Sequence, residues 1–140
     1  MDIEHTLNNI GNIYFRMKRY EEAIRYSTEA FDLHRRLNKL PNIQLATLMN
    51  NMGCIYRDSG DKQEALRLFE QALDIVYSLG ETDHLCLAEL SLNLALLYLQ
   101  DERSPKAKPL LDISLVIFEK NYGPDHMKTK LAKEELGKFI

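Results

Sequence analysis

The chain has no tryptophan, two cysteines, four prolines, no large block of one charge sign and no long apolar run. Each scarcity removes a class of protein. Cys54 and Cys86 cannot build a disulfide framework and suit a reducing compartment. The longest strongly apolar stretch, Leu94 to Leu99, is far too short to cross a bilayer, so no membrane insertion is expected. The opening Met1-Asp2-Ile3-Glu4-His5 is acidic and polar where a secretory signal is basic and then apolar. A cytoplasmic protein is expected. The formal charge of −3 lacks the basic footprint of a nucleic-acid binder. Its small basic clusters, Arg16-Lys18-Arg19 and Arg35-Arg36-Lys39, are followed or interleaved by Glu21, Glu22 and Asp32, as on solvated helix faces. No nucleic-acid partner is expected.

Hydrophobic residues make up 45% of the 140 and charged residues 28%, ordinary values for a chain that buries a core without metal or disulfide staples. Sliding the sequence against itself exposes its organisation. An offset of 42 residues brings Gly11 onto Gly53, Ala95 and Gly137, and Tyr14 onto Tyr56 and Tyr98. It also aligns Ala23, Ala65 and Ala107; Ala30, Ala72 and Ser114; and Asn9, Asn51 and Asn93. Five columns agreeing over three copies define a repeat.

Each copy reads as two helices. In the second, Leu45, Leu48, Met49, Met52, Ile55 and Tyr56 recur at helical spacing, and Asp58-Ser59-Gly60-Asp61 then breaks the pattern. Ala65 through Leu79 form a wider apolar surface that ends near Gly80. Gly11 and Gly53 fall inside helices, where glycine costs about 1 kcal/mol relative to alanine. Such a cost is tolerated where two backbones approach closely. Helices are expected at 4–17, 20–37, 43–58, 62–79, 84–100, 104–121 and 125–139, with no strand. The fold class is all-α: one domain over 1–140, with repeats at about 4–41, 43–83 and 85–124 and a terminal helix at about 125–139.

These columns resemble the tetratricopeptide repeat: a large residue, then Leu-Gly, then Tyr, and later Ala with a large residue four further on. The copies offer Leu7, Ile10-Gly11, Tyr14, Ala23 and Ser27; Met49, Met52-Gly53, Tyr56, Ala65 and Phe69; and Ser91, Leu94-Ala95, Tyr98, Ala107 and Leu111. A fourth begins with Lys133, Leu136-Gly137 and Ile140. Ser27, Ser91 and Lys133 depart from the pattern, and the closing proline is absent. The long period, Leu7-Asn8-Asn9 and the Tyr122-to-His126 loop are similar to the kinesin light chain type of repeat. The resemblance implies an α-solenoid, a right-handed superhelix of three hairpins plus a C-terminal helix, acting as a scaffold that binds other proteins.

In that family the first helix of each pair lines the concave side. The implied peptide-binding groove consists of Asn8, Asn9, Asn12, Phe15 and Arg16, then Asn50, Asn51, Cys54 and Arg57, then Leu92, Asn93, Leu96 and Leu99. An amide side chain carries donors and an acceptor, as a peptide backbone requires of its partner. The Asn9–Asn51–Asn93 column has two readings, a ladder for an extended peptide or bonds to neighbouring hairpins. Leu92 also has two: it faces the groove, or it turns inward where Ser91 replaces Leu7 and Met49. The carboxylate clamp of chaperone-binding relatives maps onto Asn8, Asn12, Asn51, Glu89 and Asn93, where both asparagines match and the three cations are missing.

The chemical constellations fail in turn. His84 and Cys86 form a lone pair, His84 and His126 stand a repeat apart, and both histidines read as flanking helix starts rather than holding zinc. Cys54 has no histidine base in register. No enzyme, metal or cofactor is expected. The expected partner is a protein or peptide; the alternative is an architectural, self-associating fragment cut from a longer array, by end-to-end stacking or as a homodimer through the terminal helix.

Overall fold

The computed structural model describes residues 2–38, 40–82, 84–100 and 104–139. Among them are seven helices and no strand: α1 (Ile3–Arg16), α2 (Tyr20–Leu37), α3 (Ile43–Ser59), α4 (Lys62–Ser78), α5 (Leu85–Gln100), α6 (Ser104–Tyr122) and α7 (Met127–Gly137). Every expected helix is present, with ends within two residues of the periodicity's bounds.

Local chemistry sets the helix starts. Asp2 accepts from the His5 N–H at 3.2 Å, and Asn42 from the Leu45 N–H at 2.9 Å. One and two repeats beyond Asn42 stand His84 and His126, whose Nδ1 atoms accept from Cys86 N at 3.0 Å and Lys128 N at 3.1 Å. The two histidines thus close helix starts, as their flanking positions suggested. At the ends of α1 and α3 the chain turns through the left-handed region, at Lys18 (φ 62°) and at Gly60 (φ 103°), which share a repeat position.

The chain forms two compact units, Met1–Ile75 and Val76–Ile140. In the first, α1 packs on α2 and α2 on α3. A Cβ placed on Gly11 would stand 2.6 Å from Ser27 Oγ, and one on Gly53 would stand 2.5 Å from the Phe69 ring. Both glycines therefore mark helix crossings with no room for a methyl group. In the second unit α5 packs on α6 and α6 on α7. Buried residues cover most of the circumference of α5, from Cys86 to Tyr98. Ser114 Oγ donates to the Ala88 carbonyl at 2.9 Å, and Lys128 on α7 bonds Glu89 on α5.

Candidate functional site

The first unit brings the faces of α1 and α3 together. Their N-terminal halves enclose a shallow cavity of about 220 Å³, lined by Asp2, Glu4, His5 and Asn8 from one side and Gln44, Thr47 and Leu48 from the other. Its walls are polar because the sequence spends the inward side of each helix on the hairpin and leaves amides and hydroxyls beside it. The Asn8 Oδ1 atom is buried and has no hydrogen-bond partner. Thr47 is committed locally, its hydroxyl donating to the Ile43 carbonyl at 3.0 Å.

Beyond the cavity, Asn12, Asn51 and Cys54 are half-buried, while Asn9 and Arg16 are exposed. Phe15 leans on Tyr20, with ring centroids 6.3 Å apart, and so closes the α1–α2 turn. Arg57 donates from Nε to Asp58 at 2.9 Å. Burial works against the Arg57 cation, but its hydrogen bond to Asp58 and its contact with Cys54 outweigh that and raise its pKa. The guanidinium is thereby held charged and oriented.

Asn50 is 6% exposed and takes no part in this face. It was expected there because it follows Asn8 by one repeat; the roll of α3 turns it inward. Leu92 is likewise 6% exposed. Of its two readings, the inward one describes it: beside the fully buried Ser91, Leu92 supplies apolar bulk that the serine lacks. Asn93, Leu96 and Leu99 are half-buried on α5 of the second unit. Glu89, the acidic replacement in the clamp column, is neutralised by Lys128.

Sequence reasoning missed Gln44 and Asp2 as a pair of cavity residues, although they share a repeat position and could have been found as a column. It also missed a second cavity of the first unit, about 680 Å³, on the side of α2 and α4. Phe31, Leu40, Met49, Gln71 and Ile75 are among its lining residues. Among the described residues, no group of three His, Cys, Asp or Glu side chains could hold a metal ion. No described helix is long and apolar enough to cross a membrane.

The tetratricopeptide repeat model matches residues 2–78, more than half of the chain. The chain belongs to the tetratricopeptide repeat family. No curated protein matches its sequence. Solved structures show the same fold at low identity. The nearly identical TPR-like repeats described as a Podosopora anserina kinesin light chain superpose with a TM-score of 0.83 at 18% identity, covering 96% of this chain and 64% of that one. BtubC (BKLC) from P. vanneervenii gives a TM-score of 0.82 at 19% identity, over 96% of this chain and 54% of that one. The Arabidopsis OM64 TPR domain gives 0.71 at 20%, over 99% and 97%. The chain thus spans less than two-thirds of the first two structures, and it shares their fold. The family's all-α repeats generally serve as protein–protein interaction modules.

Proposed function

We propose that this tetratricopeptide chain is a binding module whose α1–α3 face holds an extended peptide segment of a partner protein, working in the cytoplasm. The observation that carries this reading is the Asn8 side-chain oxygen, buried beside the cavity without a donor. A buried acceptor left unmet costs about 1–3 kcal/mol, and a peptide N–H laid along the face meets it. Asn12 and Asn51 extend the same chemistry, since each amide both donates and accepts. Packed helices stand about 8–10 Å apart, and an extended chain advances about 3.3 Å per residue. Amides on α1 and α3 therefore match main-chain groups about three residues apart. Such recognition reads the backbone, and partner identity then rests on side chains at the margins, where Arg16 and Arg57 favour carboxylates.

The test is selection of binders from a random peptide library by the wild-type chain and by an Asn8→Ala, Asn51→Ala variant with an unchanged helical circular-dichroism spectrum. The reading expects peptides enriched by the wild type and bound at least roughly tenfold more weakly by the variant. Equal binding by both would remove the α1–α3 face as the site.

A further inference from the structure

The face proposed for peptide also carries a charge gradient along its helices. Glu4, Asn8, Asn12 and Arg16 follow one another at intervals of four residues, so α1 presents an acid, two amides and a base on one stripe. Glu4 and Asn8 line the cavity between α1 and α3, which puts the stripe on that side. Asp2 joins Glu4 in the cavity, and its Oδ1 bonds a backbone N–H rather than a cation; Glu4 is bonded to His34. At the other end Arg16 is exposed, and Arg57 stands in the last turn of α3 in contact with Asp58. The N-terminal halves of both helices line one cavity, so α1 and α3 run in the same direction and their basic ends lie together. Helix dipoles have the opposite sense, but at about half a charge per end they are outweighed by the side chains.

A peptide that bonds Asn8, Asn12 and Asn51 through its main chain crosses α1 and α3 with its N–H and C=O groups directed at the face. In an extended chain those groups stand at right angles to the side chains, and successive side chains point opposite ways. The side chains therefore lie along the helix axes, one toward the acidic ends and the next toward the basic ends. Ile10, midway between the two amides of α1, is six residues from Glu4 and six from Arg16, about 9 Å of helix rise each way. A long lysine or arginine side chain suits the acidic side. On the basic side the long partner is Arg16, whose fork suits a shorter aspartate or glutamate.

We infer, resting on the peptide reading proposed above, that the bound segment carries a basic and an acidic residue at odd spacing, the basic one directed to Asp2 and Glu4 and the acidic one to Arg16. Main-chain bonds then supply affinity, and the alternating charges supply register and choice of partner. The charge pairs lie at the margins in solvent, so each contributes modestly and weakens in salt.

Selection from a random peptide library by the wild-type chain, by Asp2→Asn and by Arg16→Glu tests it. Asparagine keeps the α1 cap while removing the charge, and Arg16 is exposed, so both variants should keep the helical circular-dichroism spectrum. The wild type should enrich peptides in which Lys or Arg stands an odd number of positions from Asp or Glu. Asp2→Asn should weaken the basic preference and keep the acidic one; Arg16→Glu should do the reverse. A selected peptide with its acidic residue changed to lysine should bind Arg16→Glu at least roughly threefold more tightly than it binds the wild type, and the gap should narrow in high salt. Peptides enriched without the charge pairing, or a charge-reversed peptide that prefers the wild type, would overturn the inference and leave the α1–α3 face as a binding site. No enrichment by the wild type would overturn the peptide reading and the inference together.

Discussion

Glu4 and His34, thirty residues apart, meet through Oε1 and Nδ1 at 2.5 Å, with His34 only 1% exposed. The other ring nitrogen, Nε2, lies 2.9 Å from Asn42 Oδ1. That oxygen also accepts from Leu45 N, so Nε2 is a donor, and α1, α2 and the start of α3 are pinned at one point. The next copies fill the two positions with Ala46 and Val76, then with Ala88 and Phe118, all buried. The first hairpin alone places a polar pair where the others place hydrocarbon.

Breaking that pair from one side should cost far more than replacing it. Glu4→Ala leaves the His34 Nδ1 without its carboxylate and should destabilise by about 1–3 kcal/mol. The double change Glu4→Ala, His34→Val copies the second repeat and should recover most of the loss, since apolar replacement of a buried polar pair is often neutral. Urea denaturation of the two single variants and the double variant completes the cycle; additive losses would contradict a direct coupling.

Glycines of one repeat column should respond with opposite signs. Gly53→Ala drives a methyl group into Phe69 and should destabilise by about 1–3 kcal/mol. Gly137 has open space around its added Cβ, so Gly137→Ala should stabilise by up to about 1 kcal/mol through helix propensity. For Gly11→Ala the nearest obstacle is Ser27 Oγ at 2.6 Å, so adding Ser27→Ala should relieve part of the penalty. Thermal midpoints read all three, and equal effects at Gly53 and Gly137 would contradict the crossing.

Lys18 and Gly60 make the same left-handed exit from their helices, with Arg19 N bonding Tyr14 O and Asp61 N bonding Tyr56 O, each at 2.9 Å. A side chain in that region costs about 1–2 kcal/mol, and glycine avoids the strain. Lys18→Gly should therefore stabilise by about 1 kcal/mol, and Gly60→Ala should destabilise by a similar amount. Chemical denaturation checks both signs.

A pH effect is expected at α4. Arg67 donates to both Glu64 carboxylate oxygens and holds the Glu64 pKa below the usual carboxylate range, with burial opposing. Because the folded value is depressed, the contribution is complete above the unfolded carboxylate's pKa. It fades as pH falls through the folded value. The pair is exposed, so the effect on stability is small. Carboxyl-carbon NMR titration should show Glu64 titrating lower than an ordinary glutamate and returning upward in Arg67→Ala.

The helices were legible because two periods coincide in this sequence: the helical one within each segment and the 42-residue one between segments. Gly11, Gly53 and Tyr14 stand in columns, and a column carries more information than any single residue. The site was legible only in part, because a column fixes a position along a helix and not the roll of that helix. Asn50 and Leu92 lie inward for that reason, although their neighbours Asn51 and Asn93 remain half-buried. Glu4 and His34 were invisible for a different reason. Their pairing breaks the repeat, and a search for self-similarity discards what occurs once.

The central claim is that the α1–α3 face binds peptide, and side-chain amide NMR tests it most directly. A library-selected peptide should be titrated into uniformly ¹⁵N-labelled chain while the Asn and Gln side-chain NH₂ signals are followed. The account predicts saturable shifts at Asn8, Asn12, Gln44 and Asn51, with Asn38 and Gln71 on the α2–α4 side unmoved. Shifts confined to Asn38 and Gln71 would place the peptide in the larger cavity and contradict the account.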